Sequence, residues 1–324
     1  MTRPHGGLAV LDLEPAASDF LAEALAGLGS SPRTLPSKFF YDETGSDLFL
    51  KIAELPEYYV TRTETEILRR HAPKMAASIG AHAELVGFGT GAGIKTRMLL
   101  EQLEDPIAYV PVDISKQRLF ESAEALSLAM PHLEILPVCA DYLQSIHLPK
   151  PARTPEHIAV YFPGSTIGNL EPEMARDFLR RVCRLCGHSG GLIIGVDLQK
   201  PRAVLEAAYN DSAGVTAAFN LNLLVRANRE LGADFDLSTW QHRAVYDQTL
   251  GRIEMHLVSR REQTVHLGGR DFHFLDGENI ITEYSYKHTP EGFAALAASA
   301  GFRLARTWTD ARNWFAVFHF VVAD

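Results

Sequence analysis

The chain has 324 residues, 46% of them hydrophobic and 22% charged, an ordinary globular composition with room for a large core in one or two domains. Its formal net charge of −9 argues against nucleic acid or an anionic membrane as a partner. No run approaches the roughly 18 to 20 apolar residues that span a bilayer, and the opening MTRPHGGLAVLDLEPAASDFL lacks the charged-then-apolar pattern of a signal peptide, so the expected location is the cytoplasm.

From residue 84 to 198 apolar runs alternate with amphipathic ones. ELVGF (84–88), IAYVPVD (107–113), LEILPVC (133–139), HIAVYF (157–162) and GLIIGVDL (191–198) read as buried strands. TRMLLEQL, SKQRLFESAEALSLAM and EPEMARDFLRRVCRL between them read as helices. Near-continuous apolar strands separated by helices predict a parallel sheet covered on both faces. Residues 202–231 read as helical. RIEMHLVSRR, QTVHLGG and DFHFL then read as antiparallel strands with glycine turns, and the chain closes on a helix, TPEGFAALAASAGF, and two strands, RLARTWT and WFAVFHFVV. Parallel strands finished by a helix and an antiparallel hairpin are the layout of class I methyltransferases that use S-adenosylmethionine. The expected fold is therefore α/β, a Rossmann-like methyltransferase sheet with a second, smaller α+β domain. Residues 70–200 and 286–324 are assigned to the cofactor-binding unit, and 1–69 and 201–285 to a discontinuous substrate-binding lid.

The three cysteines, Cys139, Cys183 and Cys186, are too few and too odd in number for a disulfide framework. Cys183 and Cys186 are spaced C-x-x-C, but zinc needs a second ligand pair that the sequence lacks. A redox pair opens a helix after a strand, whereas this one closes the run MARDFLRRVCRLC. All three read as structural. The thirteen histidines show no metal-ligand spacing either.

The stretch GFGTGAGIKT follows the first strand, at the sheet edge where open α/β folds bind ligands. A triphosphate loop needs Gly-Lys-Ser/Thr in succession, and Ile94 separates Gly93 from Lys95. A dinucleotide loop, G-x-G-x-x-G/A, is matched by Gly87, Gly89 and Ala92, which leaves a nicotinamide-dependent oxidoreductase open. A methyltransferase loop, acidic-x-G-x-G-x-G, is matched at its three glycines by Gly89, Gly91 and Gly93. Asp113, ending the second strand, can accept both hydroxyls of a ribose. Asp141, after the third strand, can take an adenine amino hydrogen while Tyr142 flanks the ring, an arrangement common in methyltransferases.

Seven separated motifs, SKFFYDETGSDLF, LPEYYVTRTE, GIKTRMLL, VYFPGSTIGNLEP, AAYNDSAGVTAAFNLNLL, GRIEMHLVS and TEYSYKHTPEGF, make the chain from about residue 35 onward resemble the L-histidine Nα-methyltransferases of ergothioneine biosynthesis. The resemblance implies three successive methyl transfers from S-adenosylmethionine to the α-amine of histidine, giving hercynine, with no metal. It also implies a small-molecule substrate, no nucleic-acid or membrane partner, and a monomer. The same chemistry on another amino acid is the nearest alternative. One departure stands out: the family's loop begins with an acid where this chain has Gly87, which implies weaker cofactor binding.

The matched residues suit the tasks of that reaction. A neutral acceptor must hold the amine, because a close carboxylate favours the unreactive ammonium; Asn169 offers its amide oxygen. Tyr58 and Tyr209 can donate to the substrate carboxylate without bringing a strong counter-charge. Glu283 can accept an imidazole N–H and Ser285 can serve the other ring nitrogen, their i, i+2 spacing putting both on one strand face. The resemblance puts Met255 on the imidazole pocket wall, lets Tyr41 close over substrate and cofactor, and lets Lys95 reach the cofactor carboxylate. Taken without the resemblance, Asn169 could cap the helix that follows, the tyrosines could be packing residues, and Glu283 a solvated strand residue.

Overall fold

A computed structural model describes residues 10–13, 20–89 and 93–323. Fourteen strands are described: β1 Leu11–Asp12, β2 Ala83–Phe88, β3 Ala108–Asp113, β4 Glu134–Ile135, β5 Val138–Cys139, β6 His157–Phe162, β7 Gly191–Asp197, β8 Trp240–Asp247, β9 Arg252–Ser259, β10 Gln263–Leu267, β11 Arg270–Phe274, β12 Asn279–Tyr286, β13 Phe302–Thr309 and β14 Phe315–Val322. The helices are α1 Phe20–Leu28, α2 Glu43–Glu54, α3 Tyr59–Ile79, α4 Ile94–Leu100, α5 Lys116–Ala129, α6 Pro172–Cys186, α7 Arg202–Tyr209, α8 Val215–Leu231 and α9 Pro290–Ala298.

The large sheet runs β1-β5-β3-β2-β6-β7-β14-β13, with β4 beside β3. β1 through β7 pair in parallel, and β14 enters antiparallel between β7 and β13. Strands β2 and β7 are buried along their whole length, as their continuous apolar runs require under helices on both faces. On one face α3 packs over β7, β13 and β14 and against α4, while α5 covers β3 to β5. On the other, α6 lies over β6 and β7 and α9 over β13. The strand order turns back on either side of β2, so the crevice beyond the carboxyl ends of β2, β3 and β6 is where such a fold takes a ligand.

A three-stranded antiparallel sheet, β12-β9-β8, and the hairpin β10-β11 form the smaller part. Helices α7 and α8 cover that sheet, and α2 packs on α8. The expected boundary at residue 69/70 falls inside α3, an unbroken helix of 21 residues. The passage to the large sheet comes at the start of α3, because its apolar side already packs on β7, β13 and β14.

Two other expectations change. LEILPVC is not one strand: β4 and β5 are separate two-residue pairs on β3, flanking Leu136 and Pro137. Pro137 has no N–H for a ladder. The helical reading of 202–231 breaks at Asn210–Gly214, where the Asp211 carboxylate accepts the Val215 and Thr216 N–H groups and caps α8 as a new start.

Candidate active site

The cofactor-side residues gather at the tips of β2, β3 and β5. Gly89 turns the chain out of β2 at φ +57°, the left-handed region that a glycine enters freely. Among the described residues a Cβ at Gly89 would meet the Tyr142 ring alone, at 3.8 Å. Gly93 starts α4 at φ +72°, and Gly91 lies outside the described residues. Tyr142 stacks on Phe88 with ring centroids 5.7 Å apart and 20° between planes. Asp113 accepts the Ser115 N–H at 2.8 Å, and burial raises its carboxyl above the ordinary value. Asp141 accepts the Leu143 N–H at 2.8 Å. Each of these carboxylates keeps acceptor capacity beyond its one backbone bond. A vicinal diol and an exocyclic amine beside a ring face match this edge.

Lys95 opens α4 from this same edge and bonds Glu64 of α3. The Glu64 side chain is 1% exposed, and its two oxygens also accept the Gly164 N–H at 3.1 and 3.0 Å. A Cβ at Gly195 would lie 2.1 Å from Glu64 Oε1, so the glycine in β7 is what admits this carboxylate. The Lys95 charge is therefore already matched inside the protein. Gly87 stands in β2 opposite Pro111 and Tyr161 and shares its strand face with Leu85, which packs in the core under α3.

Across the crevice lies a small cleft of about 70 Å³. Tyr41, Tyr58, Asn169, Tyr209, Met255, Glu283 and Ser285 all line it. Tyr41 ends the 3₁₀ turn Ser37–Phe40, and the next residue anchors it: Asp42 accepts from Asn222 Nδ2 at 2.8 Å and Arg229 Nη2 at 2.7 Å, both on α8. Tyr41 is 45% exposed at the cleft mouth, and its phenol lies within the field of Glu283 on one side and Asp113 on the other. Tyr41 thus feels acids of both walls, cofactor side and substrate side.

Tyr58 and Tyr59 part company at the start of α3. Tyr58 lines the cleft with its ring 6.3 Å from Tyr209, whereas Tyr59 donates to Asp197 Oδ2 at 2.7 Å below it. Tyr209 ends α7 and is fixed from three sides. His242 Nε2 contacts its carbonyl oxygen at 2.8 Å, Asn210 beside it pairs with the Ala244 backbone at 2.9 and 3.0 Å, and its hydroxyl lies 2.9 Å from Ser285 Oγ.

Asn169 ends the 3₁₀ turn Thr166–Asn169, which follows β6. It does not cap α6, whose N-cap is Glu171, and its amide makes no side-chain hydrogen bond among the described residues. Gly168 brings this turn against β12: a Cβ there would lie 2.8 Å from the Tyr286 carbonyl oxygen. That close approach sets Asn169 beside the strand carrying Glu283 and Ser285. In β12 Glu283 stands opposite Met255 of β9. Burial pushes the Glu283 carboxyl up to about 7, with Lys287 pulling the other way.

Sequence reasoning missed a charge cluster beneath the cleft. Asp197, at the end of β7 and fully buried, faces Lys200 Nζ at 2.5 Å and Lys287 Nζ at 2.8 Å, and its N–H donates to Ser165 Oγ at 2.9 Å. Burial opposes its charge, but Lys287 and Lys200 hold its carboxyl below the ordinary value. Burial pushes the Lys200 ammonium down to about 8. Lys287 also donates to Tyr209 Oη at 3.0 Å, so Tyr209 does carry a cationic backing that the sequence reading did not give it. The one local signal was TEYSYK, where Glu283, Ser285 and Lys287 alternate onto one strand face. The C-x-x-C cysteines read as structural also in the fold: the Cys186 thiol donates to Gly191 O at 3.2 Å and Cys183 to Gly301 O at 3.4 Å. Among the described residues no group of histidines, cysteines and acids could hold a metal.

Comparison with known proteins gives the family. Two curated proteins called histidine N-alpha-methyltransferase are similar to the chain. The one from Mycolicibacterium smegmatis is 42% identical over 311 residues, 93% of this chain and 96% of that protein. The one from Mycobacterium tuberculosis is 40% identical over 300 residues, 91% of this chain and 92% of that protein. Ergothioneine biosynthesis protein 1 of Neurospora crassa is 31% identical over 285 residues, 86% of this chain but 32% of that longer protein. The oxidoreductase reading of the glycine loop is thereby set aside. The pattern described as "Histidine-specific methyltransferase, SAM-dependent" matches residues 20–322, and the chain belongs to that family of S-adenosylmethionine-dependent methyltransferases.

Proposed function

We propose that the enzyme trimethylates the α-amine of L-histidine to hercynine in ergothioneine biosynthesis. The observation that carries this reading is the cleft itself, where Asn169, Glu283 and Ser285 converge from two separate elements, the 3₁₀ turn after β6 and strand β12, held together by the close contact at Gly168. When bound, S-adenosylmethionine supplies a methyl group already activated by a sulfonium. Asp113 would hold its ribose diol, Asp141 and Tyr142 its adenine, and the glycine turn that begins at Gly89 and includes Gly91 in the sequence would take its methionine end. Lys95, paired with Glu64, would hold the carboxylate end by sharing its hydrogens.

The chain's remaining work is recognition and aim. Glu283 accepts one imidazole N–H and Ser285 serves the other ring nitrogen, with Met255 as the apolar wall between strands. Tyr58 donates to the substrate carboxylate, and Tyr209 donates to Ser285 Oγ, which leaves the serine hydrogen for the ring nitrogen. Asn169 accepts from the amine without adding charge, so that the neutral amine and its lone pair persist. Tyr41 covers the junction of the two sites and limits water there. Holding the amine in line at contact distance supplies a large part of the acceleration in a transfer of this kind. Each transfer would form one C–N bond as the donor's methyl–sulfur bond breaks; the first two must also lose a proton from nitrogen before the next, and the third, from a tertiary amine, leaves a quaternary nitrogen with no lone pair.

The small-molecule reading extends to a cytoplasmic monomer without a nucleic-acid partner, supported by the net charge of −9; among the described residues no helix is long and apolar enough to cross a membrane. The large-sheet unit, from the start of α3 to residue 200 and from 286 to 324, would hold the cofactor and bring Asn169 to the substrate, and the preceding residues with 201–285 would complete the substrate side. The test is mass spectrometry of histidine incubated with the enzyme and labelled S-adenosylmethionine. A gain of three labelled methyls on the α-nitrogen is expected. Ring methylation, or no histidine-dependent transfer, would overturn the reading.

A further inference from the structure

The two hydroxyls that face the substrate share one lysine. Lys287 lies two positions after Ser285, its side chain 1% exposed, and its ammonium donates to Ser285 Oγ at 2.8 Å and Tyr209 Oη at 3.0 Å and faces Asp197 Oδ2 at 2.8 Å. An ammonium has three hydrogens and accepts nothing, so these three contacts commit all of them. Each hydroxyl has one hydrogen and two lone pairs. Lys287 fills one lone pair on each, and the 2.9 Å contact between Tyr209 and Ser285 takes one of the two hydrogens. One O–H remains for a ligand.

We propose that Lys287 is a positioning residue for the amino-acid substrate, turning Tyr209 and Ser285 from two freely rotating hydroxyls into a pair that offers one directed O–H donor. The proposal rests on the function given above. Glu283, on the same strand face, is the neighbouring acceptor. One fixed acceptor beside one fixed donor matches a neutral imidazole, which has one N–H and one bare nitrogen, and does not match an indole, which has an N–H alone. A site that hydrogen-bonds both groups discriminates strongly, because a ligand lacking one leaves a buried polar atom unpaired. The groups facing Glu283 are Lys287 from its own strand, Tyr41 beyond the first 3₁₀ turn, Tyr58 from α3 and Tyr209 from α7, with Asp197 of β7 behind the lysine.

Lys287→Met leaves Asp197 bonded to Lys200 and Tyr59, so no buried acid is orphaned. Lys200→Met removes a charge from the same aspartate without touching Tyr209 or Ser285. Steady-state kinetics on the full chain with histidine and S-adenosylmethionine should separate them. Lys287→Met should raise the histidine KM about tenfold or more, cut the preference for histidine over tryptophan by a similar factor, and leave the KM for S-adenosylmethionine within about threefold. Lys200→Met should leave the histidine KM within about threefold. Equal losses in the two variants, or a folded Lys287→Met enzyme with the wild-type preference, overturn the proposal. Should Lys287→Met not fold, Tyr209→Phe, Ser285→Ala and their double variant carry the test. A lysine-directed pair makes their losses non-additive, and plain additivity overturns it. Wild-type enzyme that does not methylate histidine would instead sink the proposed function.

Discussion

Replacing Glu283 with glutamine keeps the size and removes the charge at the point where the cleft meets the substrate ring. Burial moves this carboxyl from its ordinary 4.5 to about 7. At about 1.4 kcal/mol per unit, the ionised form costs the free enzyme up to about 3 kcal/mol, less whatever solvent in the cleft screens. A ring N–H donated to the carboxylate returns roughly 1.5 to 3 kcal/mol, so binding should draw Glu283 into its ionised form. Near pH 7, where about half of it is protonated in the free enzyme, histidine binding should release about half a proton more from wild type than from Glu283→Gln. The same substitution should weaken histidine binding by about tenfold to a hundredfold. Titration calorimetry in buffers of different ionisation enthalpy measures both quantities. Because the folded-state value lies above the ordinary one, the stability Glu283 contributes is present in acid and lost as pH rises from 4.5 towards 7. Glu283→Gln should therefore melt higher than wild type near pH 8 and alongside it below pH 4.5. Histidine affinity within threefold of wild type, with an unchanged proton count, would refute the reasoning.

Three further outcomes follow from the geometry. Asn169→Asp sets a carboxylate beside the α-amine and favours its protonated form; kcat should fall about tenfold or more near neutral pH and recover partly in alkali, and a pH-independent kcat at the wild-type level argues against the contact. Gly168→Ala puts a methyl 2.8 Å from the Tyr286 carbonyl, an overpacking worth about 1 to 3 kcal/mol. It should lower the melting temperature and raise the histidine KM while cofactor affinity holds, and an unaltered melting curve would sink the proposed joint. Gly87→Glu should tighten S-adenosylmethionine binding by about tenfold, the worth of one charge-assisted hydrogen bond. Unchanged affinity in calorimetry would mean that the missing acid is no handicap, as when Glu64 already serves this sheet face.

Local pattern and tertiary contact contribute differently to such a site. Regular alternation of apolar strands and amphipathic helices specified the parallel sheet, because burial on both faces favours apolar residues along β2 and β7, with Glu84 and Asp197 as the charged exceptions. The i, i+2 spacing of Glu283 and Ser285 likewise fixed their common face before any fold was known. Misreadings came where a short-range signal competed with the period. Pro137 split one apolar run into β4 and β5, and the Asp211 cap divided residues 202–231 into α7 and α8.

The sequence by itself determined the sheet, the glycine turn at the carboxyl edge of β2, and the residue types of the cleft, since periodicity and side-chain chemistry are properties of neighbouring residues. Only the tertiary structure decided which way Tyr58 and Tyr59 face, that Glu64 answers Lys95, and that Asp197 gathers Lys200, Tyr59 and Lys287 beneath the cleft. Those partners come from α3, α4, the end of β7 and the residues just after β7 and β12, most of them far apart in the chain. A buried charge is tolerated only where a distant counter-charge meets it, and no local pattern records that meeting.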